Sequence, residues 1–200
     1  SGLSKSYGAL HVIKNLDLTV SKGEVYGLLG ANGAGKSTAI ECMLGTKKAD
    51  TGSISILGMS PQKDRRSLFQ QVGVQFQEAN YPDKIRVSEL CEETACLYNG
   101  PADYTKLLKQ FGLQEKAKNF VSELSGGQKQ RLFIVLALIP DPQVVFLDEL
   151  TTGLDTKARR SVWKSLQELK DRGLTIFLTS HFMDEVEELC DRIGILKDGA

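Results

Sequence analysis

Nine consecutive residues, Gly30-Ala31-Asn32-Gly33-Ala34-Gly35-Lys36-Ser37-Thr38, carry the strongest chemical signal in the sequence. They follow the apolar, strand-like run Val25–Leu29 and open a helix-like run, and they fit a phosphate-binding loop at every fixed position. The glycines let backbone N–H groups turn inward around an anion, the helix start adds its positive dipole end, and Lys36 adds a full charge. Ser37 is placed to hold Mg²⁺ through its hydroxyl. A plain glycine turn before an ordinary helix is the competing reading, and the flanking strand and helix weigh against it. The pattern predicts binding of a nucleoside triphosphate.

Two further segments narrow the chemistry, because a phosphate loop alone serves kinases, GTPases, helicases and transport ATPases alike. Val144-Val145-Phe146-Leu147-Asp148-Glu149 sets two carboxylates at the end of a buried strand, where ligands of open α/β sheets sit. Asp148 would bind the metal through its water shell, and Glu149 is placed to take a proton from the water attacking the γ-phosphate. A solvated pair of strand-end acids is the bland alternative, weakened by the loop upstream. Leu124-Ser125-Gly126-Gly127-Gln128 then precedes an apolar, helix-length run, residues 129–139, and forms a second glycine-rich helix start. A second anion site on one chain suggests that Ser125 and Gly127 serve the nucleotide of another copy.

These groups must be positioned by alternating strands and helices, the pattern of a parallel or mixed sheet covered on both faces. Residues 144–147 and 175–179 are short β-rich runs expected as central strands. Between them, Val162, Leu166 and Leu169 have helical spacing over residues 157–172, with Gly173 as the terminating cap. Residues 12–20, 25–29 and 53–57, separated by turn chemistry, are expected to form an antiparallel β layer beside the nucleotide core. Residues 87–124 turn helical and charged, interrupted by Asn99-Gly100-Pro101, and read as an inserted helical lobe within roughly 83–140. No internal repeat or low-complexity tract is present.

Composition supports one compact domain: 200 residues with 41% hydrophobic content suffice for a sizeable core. Lys plus Arg and Asp plus Glu both number 25, so no net field recommends nucleic acid or an acidic membrane face. The longest apolar run, residues 132–139, falls well short of the roughly 18 needed to span a bilayer, and a secretory leader pattern is lacking. A soluble, intracellular chain is expected. Cys42, Cys91, Cys96 and Cys190 have no CxxC spacing, so reduced and mostly buried thiols are expected rather than a zinc site or disulfides.

Taken together, these segments resemble the ATP-binding cassette family, the nucleotide-binding domains of ABC transporters, across essentially the whole chain. The family's signature corresponds to Ser125, Gly126, Gly127 and Gln128 with Leu124 before them. Its lid glutamine corresponds to Gln77 in Val74-Gln75-Phe76-Gln77, its D-loop to Thr151-Thr152-Gly153-Leu154-Asp155, and its switch histidine to His181. The aromatic that stacks on adenine matches Tyr7 in Lys5-Ser6-Tyr7-Gly8. The resemblance implies a P-loop NTPase core with an antiparallel β subdomain and a helical subdomain, an ATPase with ATP and Mg²⁺ as cofactors. It implies catalytic roles for Lys36, Gln77, Glu149 and His181, metal ligation by Ser37, Gln77 and Asp148, and contacts across a dimer from the signature and Asp155. His11 sits beside no comparable group and is not expected to be catalytic.

The implied mechanism is a pair of cassettes, identical or not, closing head to tail over two ATP molecules and reopening after hydrolysis. Force would pass to an integral membrane permease, with docking near Gln77 and the lobe after it, on the cytoplasmic face of the membrane. Leu147-Asp148-Glu149, residues 151–155, Ala158-Arg159-Arg160 and Ser180-His181-Phe182-Met183-Asp184-Glu185-Val186 together look most like bacterial drug-exporter and related ABC-2-type cassettes. A chromosome-maintenance or translation-associated ATPase acting on nucleic acid is the alternative, and neither a long coiled-coil insertion nor a tandem cassette supports it. A catalytically silent, nucleotide-sensing module would be expected to lack Glu149 or His181. Leu150 departs from the family's proline after the glutamate and predicts a looser D-loop. The family normally carries more at both ends, so a piece of a longer cassette is expected.

Overall fold

The computed structural model describes residues 1–76, 81, 82, 84–149 and 151–200. The chain opens with an antiparallel hairpin of β1 (Leu3–Tyr7) and β2 (Leu10–Leu16), in which Tyr7 pairs with Leu10. A parallel sheet of five strands follows, ordered β4 (Val72–Gln75), β5 (Val144–Asp148), β6 (Thr175–Ser180), β3 (Val25–Leu29) and β7 (Arg192–Ile195). Helices α1 (Lys36–Met43), α2 (Arg65–Leu68), α3 (Val87–Ala95), α4 (Tyr104–Gln110), α5 (Gly126–Leu138), α6 (Thr156–Lys170) and α7 (Met183–Leu189) make the connections. Residues 87–124 hold α3, α4 and two short 3₁₀ turns, Gln114–Lys116 and Val121–Glu123. None of the described helices is long and apolar enough to cross a membrane.

The central strands are fully buried, and their period of two sends alternate side chains to opposite layers. Val145, Leu147, Ile176 and Leu178 face a core shared with α5, α6, α7 and the helices of residues 87–124. Val144, Phe146, Phe177, Tyr26 and Leu28 face a second core shared with α1 and the hairpin. The rings of Tyr26 and Phe177 stack there at 5.8 Å, and Phe146 meets Phe177 at 5.4 Å. The α6 helix runs as its spacing predicts, with Val162 and Leu166 buried, and Gly173 ends it at φ 93°. At the other edge, β4 lies so close to α5 that a Cβ on Gly73 would sit 1.8 Å from the Ala137 carbonyl oxygen.

Three expectations are corrected. Val25–Leu29 does not belong to an antiparallel layer; it lies between β6 and β7, parallel to both. Local turn chemistry does exist before it, with the Glu24 N–H donating to the Ser21 carbonyl, but a turn does not choose a strand's neighbours. Residues 53–57 form no strand, because Leu57 and Gly58 both take positive φ and close a tight turn with reciprocal bonds between Ile56 and Met59. The antiparallel layer is therefore the hairpin, tied to Thr51 by one bridge from Ser4. The thiols are free, with Cys42 and Cys91 buried and Cys190 half-buried, but Cys96 is exposed. Burial pushes the Cys91 and Cys190 thiols up to about 12 and raises that of Cys42.

Candidate active site

The glycine loop joins β3 to α1 and is built for close approach. Gly33 has φ 80° and Gly35 φ 105°, a region that favours glycine, and Gly35 also lies against the hairpin. A Cβ there would stand 2.8 Å from Ile13 Cδ1 and 2.9 Å from the Val12 carbonyl oxygen. Lys36 is the first residue of α1, so the first-turn N–H groups of Lys36, Ser37 and Thr38 lack intrahelical acceptors and point toward the loop. The Lys36 side chain is only 4% exposed, and its ammonium donates to the carbonyls of Gly30 at 2.9 Å and Ala31 at 3.1 Å. A buried cation resting on two neutral carbonyls is chemically suited to exchange them for a phosphate.

Lys36 also faces acid. Its Nζ lies 3.7 Å from Glu149 Oε1, and the same carboxylate oxygen is 3.9 Å from His181 Nδ1. The ends of β3, β5 and β6 thus converge Lys36, Asp148, Glu149 and His181 at one sheet edge, as the parallel register requires. The His181 Nδ1 is buried and has no hydrogen-bond partner among the described residues, which leaves a donor or acceptor aimed at the Glu149 side. Asp148 is 3% exposed and sits opposite Thr179 in the sheet register. The Thr179 hydroxyl donates to Asp148 Oδ1 at 2.5 Å and accepts the Glu149 N–H at 3.1 Å. Glu149 itself has φ 50°, a left-handed conformation that costs on the order of 1–3 kcal/mol without glycine.

The remaining predicted residues lie at two helix starts and on the hairpin. Ser125 caps α5 in a reciprocal box: its Oγ accepts the Gln128 N–H at 3.3 Å, and Gln128 Oε1 accepts the Ser125 N–H at 2.9 Å. Asp155 caps α6 through the Ala158 N–H at 2.8 Å. Both caps are exposed, and the two starts adjoin, since a Cβ on Gly127 would meet Leu154 Cδ2 at 3.2 Å. Tyr7 is 45% exposed at the hairpin end. Lys5 Nζ and Lys47 Nζ stand 5.3 and 5.7 Å from its ring centre, and Lys47 bonds Glu41 of α1 at 2.7 Å, tying the ring to the helix that Lys36 begins. His11 instead bonds Ser6 at 2.8 Å. Gln77 and Leu150 lie outside the described residues.

Two contacts were not legible in the sequence. One is the Thr179 bridge. The other is a stack in which the Arg159 guanidinium lies 4.5 Å over Phe182, whose ring meets His181 at 4.1 Å, while Arg159 bonds Asp184 at 3.3 Å. The Ala158-Arg159-Arg160 string marked Arg159 by position only; neither helix spacing nor strand alternation pairs α6 with the segment after β6.

The site fits a magnesium nucleotide on these grounds: a positive-φ glycine cradle, a buried ammonium that rests on two carbonyls beside the Glu149 carboxylate, consecutive carboxylates at the end of β5, and a hydroxyl, Ser37, in the first turn of α1. Known proteins agree with it. The Nod factor export ATP-binding protein I of Rhizobium etli is 42% identical over 208 residues, covering 100% of this chain and 65% of that protein, so the chain spans just under two thirds of that relative's length. A structure described as the ATP binding subunit of an ABC transporter superposes with a TM-score of 0.89 at 29% identity, covering 99% of this chain and 85% of the other. The dimeric structure of MJ0796, a bacterial ABC transporter cassette, gives 0.88 at 26% identity, covering 99% and 93%. Residues 13–152 match the ABC transporter family, and the chain belongs to that family.

Proposed function

We propose that this chain is the ATP-binding and ATP-hydrolysing subunit of an ABC transporter, an exporter, working through a separate integral membrane permease on its cytoplasmic face. The observation that carries the reading is the convergence of Lys36, Asp148, Glu149 and His181 beside the glycine loop at the C-terminal ends of three parallel strands. Residues 1–200 belong to a single cassette, truncated at both ends, whose helical part, roughly 83–140, is inserted in the nucleotide core. Gly30, Ala31, Asn32, Gly33, Ala34 and Gly35 wrap the phosphates with main-chain N–H groups, Lys36 and Thr38 hold them, and Tyr7 offers its face to adenine. Mg²⁺ would be held by Ser37, Asp148 and Gln77, and when bound it neutralises charge on the phosphate oxygens.

Glu149 accepts the proton of the attacking water, and its αL backbone turns the carboxylate toward Lys36 and His181. His181 senses the γ-phosphate. Ser125, Gly126 and Asp155, exposed, and Gly127 and Gln128, half-buried, lie at adjoining helix starts and face the nucleotide of a second ABC domain, in a homo- or heterodimer. The dimeric form of the related MJ0796 cassette supports this arrangement, and the export role named for the Rhizobium relative supports the direction. Balanced charge gives nucleic acid no electrostatic foothold.

Swinging a pair from mostly open to mostly closed takes about 5.5 kcal/mol of differential affinity. Two nucleotides, each held by charge-assisted hydrogen bonds of about 1.5–3 kcal/mol, supply it, and hydrolysis removes it. Glu149→Gln is expected to keep ATP binding, slow turnover by roughly 10²–10⁴, and accumulate a dimer in Mg·ATP by light scattering. Equal turnover in variant and parent refutes the role of Glu149.

A further inference from the structure

We propose that Thr179 is the positioning residue that joins the metal carboxylate to the general base, an inference that rests on the reading of Glu149 given above. Thr179 is fully buried in the middle of the sheet, directly opposite Asp148 in the parallel register. The Thr179 hydroxyl has one proton and donates it to Asp148 Oδ1, 2.5 Å away. That commitment leaves an oxygen lone pair for the Glu149 N–H at 3.1 Å. One hydroxyl therefore fixes two things: the side-chain rotamer of Asp148 and the orientation of the peptide that enters Glu149.

The second of these matters because Glu149 is held at φ 50°. A non-glycine residue relaxes out of that region unless its surroundings over-determine it. The hydrogen bond from its N–H to Thr179 does so from the strand that also carries Ser180 and leads to His181. With the peptide fixed, the Glu149 carboxylate stays within 3.7 Å of Lys36 and 3.9 Å of His181. With the rotamer fixed through Oδ1, the other carboxylate oxygen of Asp148, Oδ2, is the one that Thr179 does not engage. Thr179 is fully buried and its hydroxyl bonds Asp148 and Glu149, so it acts through these two neighbours.

Thr179→Val removes the hydroxyl at nearly constant shape, and Thr179→Ser keeps it. Both are measured in steady-state ATP hydrolysis and Mg²⁺ titration beside the parent and Glu149→Gln. Thr179→Val is expected to lose roughly 10- to 100-fold in kcat, with KM for ATP within about threefold and half-saturating Mg²⁺ raised several-fold; Thr179→Ser is expected to recover kcat to within about threefold of the parent. Parent-like turnover of Thr179→Val beside a slow Glu149→Gln overturns the inference alone. Equal losses in the Val and Ser variants, tracking a common fall in Tm, overturn it as well, because packing would then explain both. A parent-like Glu149→Gln removes the underlying reading and the inference with it. Should Thr179→Val not fold, Thr179→Ala, which also lacks the hydroxyl, is read against Thr179→Ser by the same criteria.

Discussion

Gly33 and Gly35 occupy one loop for different reasons, and their alanine variants should separate those reasons. Both have positive φ, so alanine at either pays backbone strain of roughly 1–2 kcal/mol, offset by roughly 0.4–1 kcal/mol from a stiffer unfolded chain. At Gly33 nothing lies within 4 Å of an added Cβ, and the net cost should stay near 1 kcal/mol. At Gly35 the Cβ would press on Ile13 Cδ1 at 2.8 Å and the Val12 carbonyl at 2.9 Å. Overpacking of that kind adds about 1–3 kcal/mol, because Ile13 is itself 1% exposed and has nowhere to retreat. For a chain of this length each kcal/mol moves Tm by about 2–4 °C. Gly33→Ala should therefore lower Tm by about 2–4 °C, and Gly35→Ala by about 4–16 °C, in thermal denaturation followed by circular dichroism. The same experiment with Mg·ATP at a hundredfold over Kd should stabilise the parent by about 2.7 kcal/mol, a gain largely lost in Gly35→Ala because its loop must shift. Equal Tm shifts for the two variants, or a larger one at Gly33, would refute the assignment of the Gly35 contact.

Two other substitutions probe the hairpin and α6. Tyr7→Ala should weaken ATP binding by about 1–3 kcal/mol, the range of base–aromatic stacking, while Tyr7→Phe stays near the parent in calorimetric titration; unchanged affinity in Tyr7→Ala would take the ring out of the site. Trp163→Phe deletes the Nε1–H that donates to Glu185 Oε1 at 3.2 Å, and Glu185 is only 1% exposed. Leaving that carboxylate short of a partner should cost about 1–3 kcal/mol, read as a lower midpoint in urea unfolding with an unchanged slope.

The fold class and the segments that carry the site were legible in the sequence; the neighbours of individual strands were not. The glycine loop reads from sequence because its mechanism depends on consecutive backbone groups, and β5 and β6 read as buried runs because both faces of Val144, Val145, Phe146 and Leu147 are covered. Val25–Leu29 was recognisable as a strand, yet its neighbours were not, since strand pairing in a parallel sheet is decided by helices far along the chain. Residues 53–57 carry β-prone side chains, but the left-handed pair Leu57 and Gly58 ends any extended run. Thr179 was invisible for a simpler reason: a threonine in a strand is unremarkable until the register sets it against Asp148. The Arg159 stack on Phe182 needs α6 and the residues after β6 to be neighbours, which no local pattern encodes.

The uneven exposure of the four thiols has a practical consequence. Cys91 and Cys190, pushed up to about 12, would be ionised to only about 1 part in 10⁵ at neutral pH, and Cys42 is shut in beneath the hairpin. A maleimide dye should therefore label Cys96 alone, at the end of α3, without any engineering of the chain. Paired with the intrinsic fluorescence of Trp163 on α6, that label becomes a native optical ruler for the distance between α3 and α6, with and without nucleotide.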